Sequence, residues 1–370
     1  MKAFNSKDYY ELTLDITRDL CRIPAPSGLE DERANYVLNY VKNLGFANAY
    51  IDSVKNVIWE VKGKTNVTDM LIAHTDTVFP DLEPMEIIED EKYLKCPGVF
   101  DDTINVALLL ALCKYIKDSG LIPERTLIFS ANSCEEGLGN LKGIRELYKN
   151  LGERISVMYT FDGHLAKVVN KSVGSHRYKV TAITEGGHSF NAFGNKNAIQ
   201  VLAKIVSDIY AIEVPKKPDT KTTYNVGTIS GGTSVNTICQ EAEMLCEYRS
   251  DDGECLEIMK EKFSKIFESA KKDLPTLEVE LIGDRPGMGA VDKAELEKLT
   301  QKVIAIQEKY YNGKVTATSG STDSNVFHSH GKLSVCVGAV LGGGSHTREE
   351  YLDKNSVHAG LNVVHDIIFD

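Results

Sequence analysis

The chain has 370 residues, with 42 Lys+Arg against 53 Asp+Glu and a formal charge of −11. Hydrophobic residues at 42% and charged residues at 26% lie near the globular average, which excludes disordered and fibrous classes, and the length favours two domains. The acidic balance, with no basic stripe, argues against nucleic acid as a partner.

In chain order, the first 172 residues alternate helical and strand patterns. Ser27-Gly-Leu-Glu30 reads as a capping box, followed at helical spacing by Val37, Leu38, Val41 and Leu44, with Gly45 as the stop. Residues 70–73 form a short apolar run suited to a buried strand, and 104–116 an apolar helix ending before Gly120. Residues 126–130 and 155–161 read as strands with a helix over 142–149 between them. This alternation predicts an α/β fold, a mostly parallel sheet with helices on both faces. Residues 176–184, 197–212, 222–229, 237–249, 256–272 and 277–282 then read in the order β-α-β-β-α-β, a ferredoxin-like α+β unit. A helix over 293–310, a strand over 334–340 and a C-terminal helix resume the first pattern. The expected organisation is a discontinuous catalytic domain, 1–172 with 286–370, carrying an inserted lid and dimerisation domain, 173–285.

Residues 1–15 contain no apolar signal core. The longest apolar stretch, near residues 104–113, is far short of the ~20 residues of a membrane span. Eight cysteines with no C-x-x-C pair suggest reduced thiols, so a cytoplasmic protein is expected.

The chemistry concentrates where the strands end. His74-Thr-Asp76 follows the first run, Glu135-Glu136 the second and Asp162 the third. Asp101-Asp102 immediately precedes the apolar helix, and His346 follows the last strand. Open α/β sheets bind ligands beyond the carboxyl ends of their strands. Each pair alone reads as a structural hydrogen bond, a helix cap or a solvated surface pair. Together, carboxylates on one sheet edge repel one another, and two divalent metals relieve that repulsion. Imidazole and carboxylate donors without thiolates favour zinc, with cobalt or manganese as alternatives.

These motifs carry a resemblance to the dizinc exopeptidases that include peptidase T, glutamate carboxypeptidase G and acetylornithine deacetylase. It rests on Ala73-His-Thr-Asp-Thr-Val78, Gly98-Val-Phe-Asp-Asp102, Cys134-Glu-Glu-Gly137 and Phe161-Asp-Gly163. It continues through Glu185-Gly-Gly-His-Ser189, Gly231-Gly-Thr-Ser-Val-Asn236, Tyr248-Arg-Ser250, Ser321-Thr-Asp-Ser324 and Gly344-Ser-His-Thr347. The resemblance implies two divalent metal ions bridged by Asp101, with His74 and Asp162 completing one site and Glu136 and His346 the other. It further implies a cis Asp101–Asp102 peptide bond, Asp76 as the residue holding the His74 ring, and Glu135 as general base and acid. Only the resemblance separates Glu135 from Glu136. His188 is implied as an oxyanion stabiliser, with Asn236 and Arg249 on substrate polar groups. Thr103-Ile-Asn105 departs from the basic residue and glycine of many relatives, which puts the substrate in doubt more than the reaction.

The expected activity is metal-dependent hydrolysis of small peptides, most like a di- or tripeptide aminopeptidase. A carboxypeptidase or N-acyl-amino-acid deacylase is the alternative within the fold, and a non-catalytic peptide-binding protein the alternative class. A homodimer through the lid is also expected, with neither nucleic acid nor membrane as partner.

Overall fold

The computed structural model describes residues 3–369. The chain divides into two compact units, residues up to Ser172 together with those from Gly289 onward, and Val173–Met288. The first unit is built on an eight-stranded sheet. Across it the strands run Tyr50–Ile51, Val57–Val61, Thr126–Asn132, Thr68–His74, Ile155–Phe161, Leu333–Val337, Lys167–Ser172 and Thr316–Gly320. The central four are mutually parallel. Val57–Val61 joins them antiparallel on one side and Lys167–Ser172 on the other, so the sheet is mostly parallel, as expected, with antiparallel additions outside its centre.

Burial on both faces explains the near-continuous apolar central strands. All seven residues of Thr68–His74 and of Thr126–Asn132 are buried. On one face Ile58, Met70, Ile72, Ile128 and Met158 pack against Ile144 and Leu147 of helix Lys142–Leu151. Alternation turns Trp59 and Phe129 to the other face, where they stack on each other and the indole N–H donates to Cys113 of helix Ile104–Ser119. Twelve of that helix's sixteen residues are buried, so the apolar run at 104–116 is a core helix. A small four-stranded sheet, Gly342–Gly343, Tyr351–Asp353, Tyr93–Lys95 and Ile88–Glu89, carries the loop with His346.

The second unit is a four-stranded antiparallel sheet ordered Thr222–Gly231, Glu241–Ser250, Gly174–Ile183 and Glu278–Arg285. Helices Ala198–Tyr210 and Gly253–Asp273 bury Leu202, Ile205, Met259 and Phe263 with Met244 and Tyr248 of the sheet. The β-α-β-β-α-β connection produces this strand order, as expected of a ferredoxin-like unit. The run read as one strand over 237–249 is two, because Thr237–Ile238 leaves the main sheet to pair with Gly187–His188.

Two local readings change. The capping box at Ser27 does not form. Helix Asp31–Asn43 starts after Glu30 with no side-chain cap, and both intended capping residues are engaged elsewhere. The strands Lys167–Ser172 and Thr316–Gly320 carry too little apolar periodicity to stand out in the sequence. All eight cysteines are free and buried. No described helix is long and apolar enough to cross a membrane.

His328 ties the edge of the first unit together. Its Nδ1 lies 2.7 Å from the Ser172 hydroxyl and its Nε2 2.8 Å from the Ser334 carbonyl, a geometry that a neutral ring satisfies. Burial pushes its pKa down from 6.5 to about 4. A depressed imidazole pKa means that the ring's contribution to stability is complete above pH 6.5 and lost as the pH falls towards 4. Between pH 7 and pH 4.5 wild-type protein should lose roughly 2 kcal/mol through this ring. Denaturant titrations at both pH values should show a smaller loss for His328→Gln.

Candidate metal centre

His74, Asp162 and the Glu135-Glu136 pair stand where parallel strands stop, whereas Asp101 precedes helix Ile104–Ser119 and His346 lies on the loop after Gly342–Gly343. His74 ends Thr68–His74, in register with Asn132 at the end of the neighbouring strand. Asp162 follows Phe161, and its N–H donates to the Val337 carbonyl at 3.1 Å. Beyond Asn132 the chain turns at Cys134, which takes a left-handed conformation (φ 57°) unusual for a residue with a side chain. Three successive N–H groups then point at buried carboxylates. Cys134 donates to Glu30 Oε1 at 3.1 Å, Glu135 to Asp76 Oδ1 at 2.9 Å, and Glu136 to Asp76 Oδ2 at 2.9 Å.

Asp101 lies between the two imidazoles. Its Oδ1 is 3.1 Å from His74 Nε2 and its Oδ2 is 3.2 Å from His346 Nε2. His346 Nε2 also lies 2.9 Å from Glu136 Oε1. The Asp101–Asp102 peptide bond is cis. The buried Glu350 carboxylate accepts the N–H groups of Gly98, Phe100 and Asp101 at 2.8–2.9 Å, which holds the loop that presents Asp101.

Asp76 does something other than the expected holding of the His74 ring alone. His74 Nδ1 lies 3.0 Å from the Asp76 carbonyl oxygen and 3.5 Å from its carboxylate. The carboxylate itself fixes the Glu135-Glu136 turn, and Ser27 Oγ donates to it at 2.6 Å. Asp102 is likewise committed to structure. It accepts the His74 backbone N–H at 2.9 Å on one oxygen and the Asn105 amide at 2.5 Å on the other.

Among the described residues, three sets have ligand atoms within 4.8 Å of one another inside each set: His74, Asp102 and Asp162; His74, Glu135 and Glu136; and Asp101, Glu136 and His346. They overlap at His74 and Glu136, so the donors form two adjacent sites. Burial opposes a charged His74 ring, yet Asp102, Asp101 and Asp76 outweigh it and hold the ring's pKa well above its usual value. Contacts with Asp101 and Glu136 push His346 up to about 10. Burial opposes ionisation of Asp101, but hydrogen bonds with His346 and His74 hold it far below the carboxylate range. Burial, reinforced by Asp101, pushes Asp162 up to about 7, and burial pushes Asp102 well above its usual value. Six carboxylates against two imidazoles leave a surplus of negative charge in a poorly hydrated place. With His74 Nδ1 turned to a carbonyl, its Nε2 faces Asp101 acceptor to acceptor unless a cation or proton stands between. The donor set therefore fits two divalent cations, and its oxygen and imidazole chemistry fits zinc.

The three residues expected on the lid lie in the second unit. His188 and Asn236 share one small ribbon, where Ser189 N–H donates to the Asn236 carbonyl at 2.9 Å. Arg249 stands on the main sheet with its guanidinium forked onto Glu247 at 2.7 and 3.0 Å. Glu30, Ser27, Glu350 and Asp323, which accepts from the Asn132 amide at 2.8 Å, were not singled out as parts of the centre. Ser321-Thr-Asp-Ser324 offered a signal for Asp323. Glu350 stands 249 residues after Asp101, and no local pattern reveals such a contact.

The profile of peptidase family M20/M25/M40 matches residues 70–370. The chain is 23% identical over 354 residues to carboxypeptidase G2 of Pseudomonas sp. (strain RS-16), covering 91% of this chain and 83% of that one. Among solved structures it is similar to a tripeptidase of Staphylococcus aureus, with TM-score 0.79, 21% identity and 97% of each chain covered. It is also similar to the aminopeptidase PepT of Bacillus cereus, with TM-score 0.76, 19% identity, and 97% of this chain and 98% of that one covered.

The contacts of Glu350 generate a prediction. In Glu350→Gln the amide cannot accept three N–H groups as a carboxylate does, so the Asp101 loop should lose its preferred position. Zinc affinity should fall roughly tenfold or more, the usual scale for residues that orient metal ligands. Calorimetric titration of metal-free protein measures it, with circular dichroism establishing that the fold is kept.

Proposed function

Because this chain belongs to peptidase family M20/M25/M40 and is a metal-dependent peptidase with a two-metal centre, we propose that it releases amino-terminal residues from di- and tripeptides. The observation that carries the reading is Asp101 set between His74 and His346, with Glu135 held beside them on the Asp76 carboxylate. In this proposal Asp101 would be shared between two sites, one held by His74 and Asp162 and the other by Glu136 and His346. Two divalent ions there, zinc first with cobalt or manganese as alternatives, would supply Lewis acidity towards the scissile carbonyl and lower the pKa of the attacking water.

Glu135 takes the proton from that water and returns it to the leaving amine. It is suited to this because its backbone is fixed by Asp76, so the carboxylate keeps one approach to the scissile bond. Asp76 is the positioning residue for both glutamates. On the lid, His188 stabilises the developing oxyanion and Asn236 and Arg249 hold substrate polar groups. The pairing of the His188 and Asn236 segments supports their acting as a unit. The Glu247 fork on Arg249 means that a substrate carboxylate has to share or displace that partner.

The amino-terminal preference draws on the likeness to the tripeptidase and PepT structures. The likeness to carboxypeptidase G2 favours a second reading, cleavage from the carboxyl end. A free tripeptide, its N-acetyl form and its C-terminal amide separate the two. The first reading expects the amide to be cleaved and the acetylated peptide spared; the second expects the reverse. The proposal includes a homodimer through the lid, whose strand Thr222–Gly231 presents an exposed sheet edge, and a cytoplasmic setting, which the eight free cysteines support.

Glu135→Gln should keep both metals and the fold while losing at least ~10²-fold in turnover. Glu136→Gln should lose metal first. Elemental analysis alongside a tripeptide assay checks both, and an active Glu135→Gln enzyme would remove Glu135 from the mechanism.

A further inference from the structure

Beside the metal centre lies a cavity of about 450 Å³ whose walls are the segments leaving that centre. Thr77 to Pro80 follows Asp76, and Gly137 to Gly139 follows Glu136. Ser27, also on the wall, bonds Asp76 at 2.6 Å and the Glu136 carbonyl at 3.3 Å, so the cavity starts at the residues that hold the catalytic turn.

Two features of the walls define what fits. Leu138 is 65% exposed and Val78 36%, and they form an apolar surface in contact with solvent, backed by the buried Phe79. Lys142 reaches the same cavity from the start of helix Lys142–Leu151. Its ammonium makes no ion pair or side-chain hydrogen bond among the described residues, in a chain of net charge −11.

We propose that this cavity is a side-chain subsite for an acidic residue, aspartyl or glutamyl, next to the scissile bond of a short peptide. The methylene stem lies on Val78 and Leu138, and the side-chain carboxylate pairs with Lys142. Lys142 is the unpaired cation on the wall of this cavity, so it is the group that selects a carboxylate over its neutral amide there. The inference rests on the peptidase reading above and adds its substrate class.

The test compares metal-loaded enzyme on alanine tripeptides carrying Glu or its neutral isostere Gln at each position in turn. At one position kcat/KM should favour Glu over Gln by roughly fivefold at low salt, the scale of one partly exposed ion pair, and the ratio should shrink as salt rises. In Lys142→Met the ratio should collapse towards one, and in Lys142→Glu it should invert. A wild-type enzyme with no Glu preference at any position, or a Lys142→Met enzyme that keeps one, overturns the subsite. Calorimetric binding of the same peptides to metal-loaded Glu135→Gln protein is the second readout. If wild-type enzyme hydrolyses none of the peptides, the peptidase reading fails by itself. A Lys142-dependent Glu preference in binding would then still uphold the subsite, and its absence would still overturn it.

Discussion

Negative charge buried at the ends of parallel strands is the constraint on which this molecule is organised. Carboxylates brought together out of water repel, and each must find donors or a cation. The structure divides them into two classes by what they accept. Asp76, Asp102, Glu30 and Glu350 take backbone N–H groups, and they serve as struts for the chain. Asp101 and Glu136 instead face imidazoles, and Asp162 stands among carboxylates with its pKa raised to about 7. The first class builds the frame and the second is left for cations.

This division explains why the frame can be so tight. One Asp76 carboxylate fixes Ser27, Glu135 and Glu136, segments far apart in the chain. Glu350 reaches across to three N–H groups of the single loop from Gly98 to Asp101. Struts of this kind place ligand atoms through backbone positions, so reorganisation on metal binding is small. His346 differs, standing half-exposed on a loop with a left-handed backbone, so one ligand of the centre comes from its least buried element.

The sheet contributes direction. Parallel pairing brings the ends of Thr68–His74, Thr126–Asn132 and Ile155–Phe161 to one edge, and core helices on both faces keep those ends from shifting. The antiparallel additions on either side widen the sheet without moving its centre. The second unit has a separate core and a strand order of its own, so its ribbon with His188 and Asn236 is shaped independently of the metal centre.

The sequence by itself determined which short segments end in imidazole or carboxylate, because a buried strand is a continuous apolar run and its end is where polarity returns. His74, Glu136 and Asp162 follow such runs and the family resemblance adds Asp101 and His346 as proposed ligands, while the β-α-β-β-α-β order of the second unit was legible from its pattern. Tertiary structure alone decided that Ser27 and Glu30 leave the helix cap, that Asp76 and Asp102 act mainly on backbone, and that Glu350 belongs to the centre. It also decided that two polar strands complete a mixed sheet. The reason is physical: periodicity encodes which face is buried, within a few residues, whereas the partner of a buried carboxylate is fixed by packing across hundreds of residues. For Glu350 and Asp101 that separation is 249 positions.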